Sequence, residues 1–195
     1  MYRDKNDEQF SAVYSLNRNT VNIFGEINTQ LAEIVIAQLQ YLDDKFRSDG
    51  VPLADRTITL QINSPGGNVT DGLAIYDTMN YVEAKIATVG LGQAASMAAF
   101  LLAAGTKGLR RATENCEILI HQPLGGARGQ ASDIIIAARN IERTRTLMNT
   151  YMSEMTGQPI EKIMADTDRD NSMTAVQAKA YGLIDVVIPK RIKTA

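Results

Sequence analysis

The feature that most restricts the fold of this chain is a repeated unit: a short apolar strand runs into glycines and then into an apolar helix. Thr57 to Ile62 alternates as a strand, Asn63-Ser64-Pro65-Gly66-Gly67 breaks it, and Val69 to Val82 has helical spacing. The order returns with Ile86 to Val89 as strand, Gly90 and Gly92 as the break, and Ser96 to Ala104 as a buried helix. Alternation of this kind predicts an α/β layered fold, in which successive strand ends gather on one edge of a sheet.

The flanking segments extend the pattern. Val21 to Phe24 reads as a strand, and Asn28 or Thr29 caps a helix to about Phe46, with Leu31, Ile34, Val35, Leu39 and Leu42 at helical spacing. Ser48 to Asp55 reads as a loop. Glu117 to Ile120 is apolar and strand-like, Pro123 ends it, and Gly125-Gly126-Ala127-Arg128-Gly129 forms a loop. A long helix then spans Ser132 to Met155, with Ile134, Ile135, Ala138, Ile141, Met148, Met152 and Met155 as its apolar stripe. That helix is long for a core of this size, so part of its stripe is expected to pack on another subunit; the alternative is a helix lying wholly across its own domain. Thr174-Ala175-Val176-Gln177 is a capping box that opens a last helix, Gly182 ends it, and Leu183 to Ile188 closes as a strand.

Composition narrows the function classes. The 195 residues, 45% of them hydrophobic, suit one globular domain over residues 1–195. Twenty Lys+Arg against 22 Asp+Glu, with no long basic run, offer no nucleic-acid surface. The single cysteine, Cys116, excludes an internal disulfide and, lacking a basic neighbour, reads as structural. Met1 to Phe10 is charged and unlike a secretory signal, and the longest apolar run, Ala94 to Ala104, is short of the roughly 20 residues that cross a bilayer. A cytoplasmic protein is the expectation.

Three features could carry chemistry, and each has a plainer reading. Ser96 falls where a strand gives way to a helix, which suits a nucleophile whose substrate becomes an oxyanion, but equally a helix-capping serine. His121 is the only histidine. It is either a general base or a hydrogen-bonded core residue. Gly66-Gly67 would let backbone amides approach a bound carbonyl, or would simply make a tight turn. No metal-ligand cluster stands out.

Taken in order, Ile62-Asn63-Ser64-Pro65-Gly66-Gly67, Gly92-Gln93-Ala94-Ala95-Ser96-Met97-Ala98, Ile120-His121-Gln122-Pro123-Leu124-Gly125-Gly126, Gly129-Gln130-Ala131-Ser132-Asp133-Ile134 and Asp168-Arg169-Asp170-Asn171 resemble the ClpP family of ATP-dependent serine peptidases, across Val21 to Ile188. The resemblance implies a crotonase-like fold of repeated strand-strand-helix units with a protruding handle helix, here in residues 122–157. It also implies a Ser-His-Asp triad of Ser96, His121 and Asp170, with oxyanion donors at the Gly67 and Met97 amides and substrate flanked by Gly66, Gly125 and Gly126. Asp168 and Arg169 match positions that pair between rings. The implied assembly is a homo-oligomer of two seven-membered rings, a tetradecamer, or a mixed barrel with a second ClpP. The chain itself needs no cofactor; ATP is used by a partner AAA+ unfoldase, and unfolded polypeptide is the substrate.

The chain also departs from the family pattern. Met1 to Ser11 is unlike the usual axial hairpin of residues 1–18, the loop Arg47 to Arg56 is longer, and Ser172 replaces an aromatic after Asp-Arg-Asp. Such departures imply a divergent paralogue, and they leave open a catalytically weak structural or regulatory subunit. A crotonase-type acyl-CoA enzyme, which shares glycine-flanked oxyanion amides, is the other alternative. Which unfoldase it serves and what it prefers to cleave are not written in the residues.

Overall fold

Strand β1 (Thr20–Phe24) leads through Asn28 into helix α1 (Thr29–Ser48) in a computed structural model that describes residues 15–126 and 128–190. The expected axial segment lies mostly outside the described residues. Asn28 caps α1, its side chain accepting from the Leu31 N–H at 2.9 Å. The buried stripe of α1 is Ala32, Val35, Leu39, Leu42 and Phe46, while Ile34, expected on it, is nearly half exposed. After one 3-10 turn at Leu53–Asp55, β2 (Thr57–Ser64) runs through the core with alternating burial. Helix α2 (Val69–Tyr81), capped by Asn68, returns the chain to β3 (Lys85–Ala95).

The strand β3 corrects the expected break at Gly90 and Gly92, because it passes through both. Gly90 is pressed against Cys116 and Leu102, where a side chain has no room. Gly92 adopts φ +67° at a bulge, across which the register with β2 moves from Ile62–Gly90 to Ser64–Ala94. At the same place β3 changes partner, from β4 (Arg110–Thr113) at Gly90–Ala112 to β5 (Glu117–Ile120) at Gln93–Glu117. The glycines bend a strand rather than end it.

Helix α3 (Met97–Ala103) is buried at every position and forms the centre of the core with β2, β3 and β5. The long helix α4 (Ala131–Thr156) follows the glycine loop and ends at Gly157 in the left-handed region. Only its second half joins the core, through Asn149 and Met152. Helix α5 (Ile160–Asp166), β6 (Asn171–Thr174), α6 (Ala175–Tyr181) and β7 (Val186–Ile188) complete the chain. The Thr174–Gln177 capping box is formed as read, and Gly182 ends α6 at φ +101°.

The sheet is mixed. Its path β1-β2-β3-β4-β7 is parallel, and β5 pairs parallel with β3 and antiparallel with β6. This is the α/β arrangement expected of a ClpP-type fold. No helix among the described residues is long and apolar enough to cross a membrane.

Candidate active site

Parallel pairing sets the site. The β3–β5 register joins Ala94 to Ile118 and Ala95 to Leu119, so Ser96 leaves the sheet beside the end of β5, its N–H donating to Leu119 O at 2.8 Å. His121 is the first residue beyond β5. The antiparallel β5–β6 register ends on Ile120–Asn171, so the next opposed positions are His121 and Asp170. Their side chains meet, with His121 Nδ1 and Asp170 Oδ1 3.0 Å apart. Three strand ends thus deliver a hydroxyl, an imidazole and a carboxylate to one edge of the sheet.

Ser96 stands on a sharp turn. Its φ of 55° and ψ of −124° are unusual for a residue with a side chain, and strain of this kind gathers where a structure over-determines it. It occupies the position before α3, yet its side chain makes no capping hydrogen bond, so helix capping does not account for it. The apolar helix core behind and β3 in front hold the elbow in place.

The Gly66-Gly67 turn seats directly on that elbow. A Cβ on Gly66 would lie 2.7 Å from Ser96 Cβ and 3.0 Å from the Met97 N, and Gly66 has φ +92°. A Cβ on Gly67 would collide with Ile27 O, because the turn is sewn to β1's exit by Ile27 N–H to Gly66 O at 2.8 Å and Asn68 N–H to Ile27 O at 2.8 Å. The Gly66 N–H is spent on Ser64 Oγ at 3.0 Å. Met97 is the first residue of α3, so its N–H has no partner within the helix, and it lies 3.0 Å from where a Cβ on Gly66 would stand.

Ser96 and His121 line two adjoining cavities. One is apolar and enclosed by Met97, Phe100, Ile120, Met148 and Met152; the other is an open groove between Gly67-Asn68 and the α4 residues Asn140, Ile141 and Thr144. His121 is largely covered, with 18% of its side chain exposed, whereas Asp170 is 75% exposed. No hydrogen bond joins Ser96 Oγ to His121.

A family model described as Clp protease matches residues 4–191. The chain belongs to the Clp protease family. As a Clp protease-family member it is a ClpP-like peptidase of the serine class.

The remaining positions singled out from this Clp protease-family sequence do not line the two cavities. Gly125 rests on the Ile141 side chain of α4 and Gly126 stands in the open, and neither lines the two cavities. Asp168 and Arg169 are both exposed, and their closest mutual approach is 3.9 Å. Ser172 donates to Glu117 Oε1 at 2.9 Å across the β5–β6 pair.

Three residues at this site escape sequence reading. Gln122 ties the segment after β5 to the one between α5 and β6, its N–H donating to Thr167 O at 2.6 Å and its Nε2 to Asp168 O at 2.7 Å. Asn149 and Thr167 meet at the foot of the apolar cavity, Thr167 Oγ1 lying 3.3 Å from Asn149 Oδ1. Only the position of Gln122, directly after the one histidine, offers a signal in the sequence. Asn149 sits at a buried angle of α4 that helical spacing reveals only after the neighbours of that helix are known.

Proposed function

We propose that this chain is the proteolytic subunit of an ATP-dependent Clp protease, an endopeptidase that hydrolyses unfolded polypeptide inside a double-ring barrel. Ser96 is the nucleophile, His121 the general base and Asp170 the carboxylate that orients the imidazole. The observation that carries this reading is the 3.0 Å His121–Asp170 hydrogen bond at the mouth of a cavity shared with the strained Ser96 elbow.

His121 Nε2 takes the Ser96 proton as Oγ attacks the peptide carbonyl, and Asp170 holds Nδ1–H and so fixes the tautomer. The Gly67 and Met97 amides stabilise the tetrahedral oxyanion, each contributing about 2.7–4 kcal/mol to the transition state. His121 then protonates the leaving amine. Water, activated by the same base, releases the acyl group. An extended substrate lies in the groove between Gly67-Asn68 and α4, held by its backbone rather than by its sequence. ATP is spent by a partner AAA+ unfoldase, and no cofactor is needed in this chain.

A second reading, a weakly active subunit that needs a second ClpP in a mixed barrel, is favoured by one observation: the Asp170 side chain is mostly exposed. Both readings meet the same test. Ser96→Ala and His121→Ala each abolish cleavage of short fluorogenic peptides by the assembled protein without changing its mass in native mass spectrometry. Turnover surviving in either variant overturns the triad. Weak labelling of the intact wild-type assembly by a fluorophosphonate selects the second reading.

A further inference from the structure

Glycine is the poorest helix former after proline, so one inside a helix has a reason to be there. Gly72 stands in the first turn of α2 with a helical backbone and no left-handed φ, so the reason is space rather than conformation. It is buried and opens the stripe that Ile75 and Met79 continue, a place where a core side chain is expected. The Met97 side chain takes that place instead. A Cβ on Gly72 would overlap Met97 Cγ and would stand 2.6 Å from its Cε and 2.9 Å from its Sδ. The methionine therefore lies along the bare backbone of α2 from Cγ to its end, and is itself only 2% exposed.

We infer that Gly72 is a positioning residue for the oxyanion site: by seating the Met97 side chain against α2, it sets where the Met97 amide stands relative to that of Gly67. The inference rests on the peptidase reading of Ser96 and adds to it a residue that lines neither cavity at the nucleophile. The two amides belong to the starts of two helices, Gly67 just before Asn68, the cap of α2, and Met97 as the first residue of α3. The start of α2 is held firmly. Asn68 N–H donates to Ile27 O at 2.8 Å, Asn68 Oδ1 accepts from Asp71 N–H at 3.0 Å, and Thr29 Oγ1 donates to Asp71 Oδ2 at 3.2 Å. Gly72 N–H closes the turn on Asn68 O at 3.0 Å. A methyl group at position 72 thus presses on Met97 rather than displacing α2. Cγ is bonded directly to Cβ, so swinging the thioether end away does not relieve the overlap. Relief needs a new χ1 in a fully packed setting or a shift of the first residue of α3. Either is felt at the Met97 N, which already lies 3.0 Å from where a Cβ on Gly66 would stand.

The test is a double-mutant cycle read in kinetics. Gly72→Ala, Met97→Ala and the two together are compared as assembled protein on a fluorogenic peptide. Gly72→Ala is expected to lower kcat at least about tenfold, toward the 10²–10³-fold that loss of a whole oxyanion donor costs on the order of magnitude. KM changes less than about twofold, and the pH profile of kcat/KM does not move, because the base and its carboxylate are untouched. Met97→Ala leaves room for a methyl group at position 72, so the double variant is expected to match the kcat of Met97→Ala rather than multiply the two losses. A glycine needed only for packing would lower the urea midpoint and leave the kcat of the folded enzyme alone. An unchanged kcat in Gly72→Ala, a raised KM without a fall in kcat, or losses that multiply in the double variant overturn the inference. Should Gly72→Ala not assemble, the double variant decides: a kcat equal to that of Met97→Ala supports the inference and a lower one overturns it. Turnover that survives Ser96→Ala sinks the peptidase reading and this inference with it, whereas an inactive Ser96→Ala beside a fully active Gly72→Ala overturns the inference alone.

Discussion

At the scale of single residues, the most consequential fact is the contrast between a covered His121 and an exposed Asp170. A carboxylate bathed in water is screened, so its charge contributes less to the imidazolium than that of a buried carboxylate. Asp170→Asn is therefore expected to lower kcat on the order of a hundredfold, against about 10⁴-fold where the carboxylate is buried. Steady-state kinetics on a fluorogenic peptide decides; a loss near the larger value would show that assembly dries the pair. Gln122 adds the geometry that exposure takes away, because its two hydrogen bonds to the Thr167 and Asp168 carbonyls hold the aspartate loop beside the histidine. Cys116 behaves oppositely. Burial, helped by the neighbouring Glu117 charge, pushes its thiol up to about 11, so the thiolate is scarce at neutral pH. Native protein is expected to resist iodoacetamide and to be alkylated only after unfolding in urea; rapid native labelling would contradict the inert, structural reading that its sequence context suggested.

At the scale of elements, one buried ion pair ties together parts of the fold that are distant in sequence. Arg110 in β4 meets Asp185 before β7 at 2.6 Å, and the same guanidinium donates to Met155 O near the end of α4 at 2.9 Å and to Ala103 O of α3 at 3.3 Å. It thus serves two helix ends whose carbonyls have no helical partner. Burial raises the Asp185 carboxyl, but the hydrogen bonds and charge of Arg110, with the Gly108 amide, outweigh it and hold the group below the usual carboxylate range. A carboxyl lowered on folding contributes stability that is complete above the unfolded value of about 3.9 and is lost as pH falls through the folded value. Asp185→Asn is expected to destabilise by about 3 kcal/mol at neutral pH, since it leaves a buried guanidinium unpaired. Urea unfolding at neutral pH and at about pH 3 checks this: the deficit should shrink in acid. The pair also explains why β4 is invisible in the sequence. Two adjacent arginines in a four-residue strand read as surface until the acceptors that bury Arg110 are known.

At the scale of the whole molecule, the handle helix divides into two environments. Asn149 and Met152 are buried, whereas Ile134, Ile135 and Ile136 are each about half exposed, at 46, 52 and 56%. An apolar edge of that kind on a projecting helix is what an interface between copies requires. Ile135→Glu is expected to reduce the largest species seen in native mass spectrometry while leaving the far-ultraviolet circular dichroism of the protein unchanged; an unaltered mass would remove this edge from the assembly surface. The residues alone determined the alternation of strand and helix, the two asparagine- and threonine-led helix starts, the long helix and the elements on which Ser96 and His121 stand. Local periodicity and capping chemistry decide those features, and both are written in neighbouring residues. The family resemblance already paired Asp170 with His121; tertiary structure alone decided that β3 passes through Gly90 and Gly92 to change partners, that an antiparallel register is what opposes Asp170 to His121, and that Asn149 lines the cavity beside Ser96. Each depends on pairing between segments far apart in the chain, and a register between distant strands leaves no mark on either strand by itself.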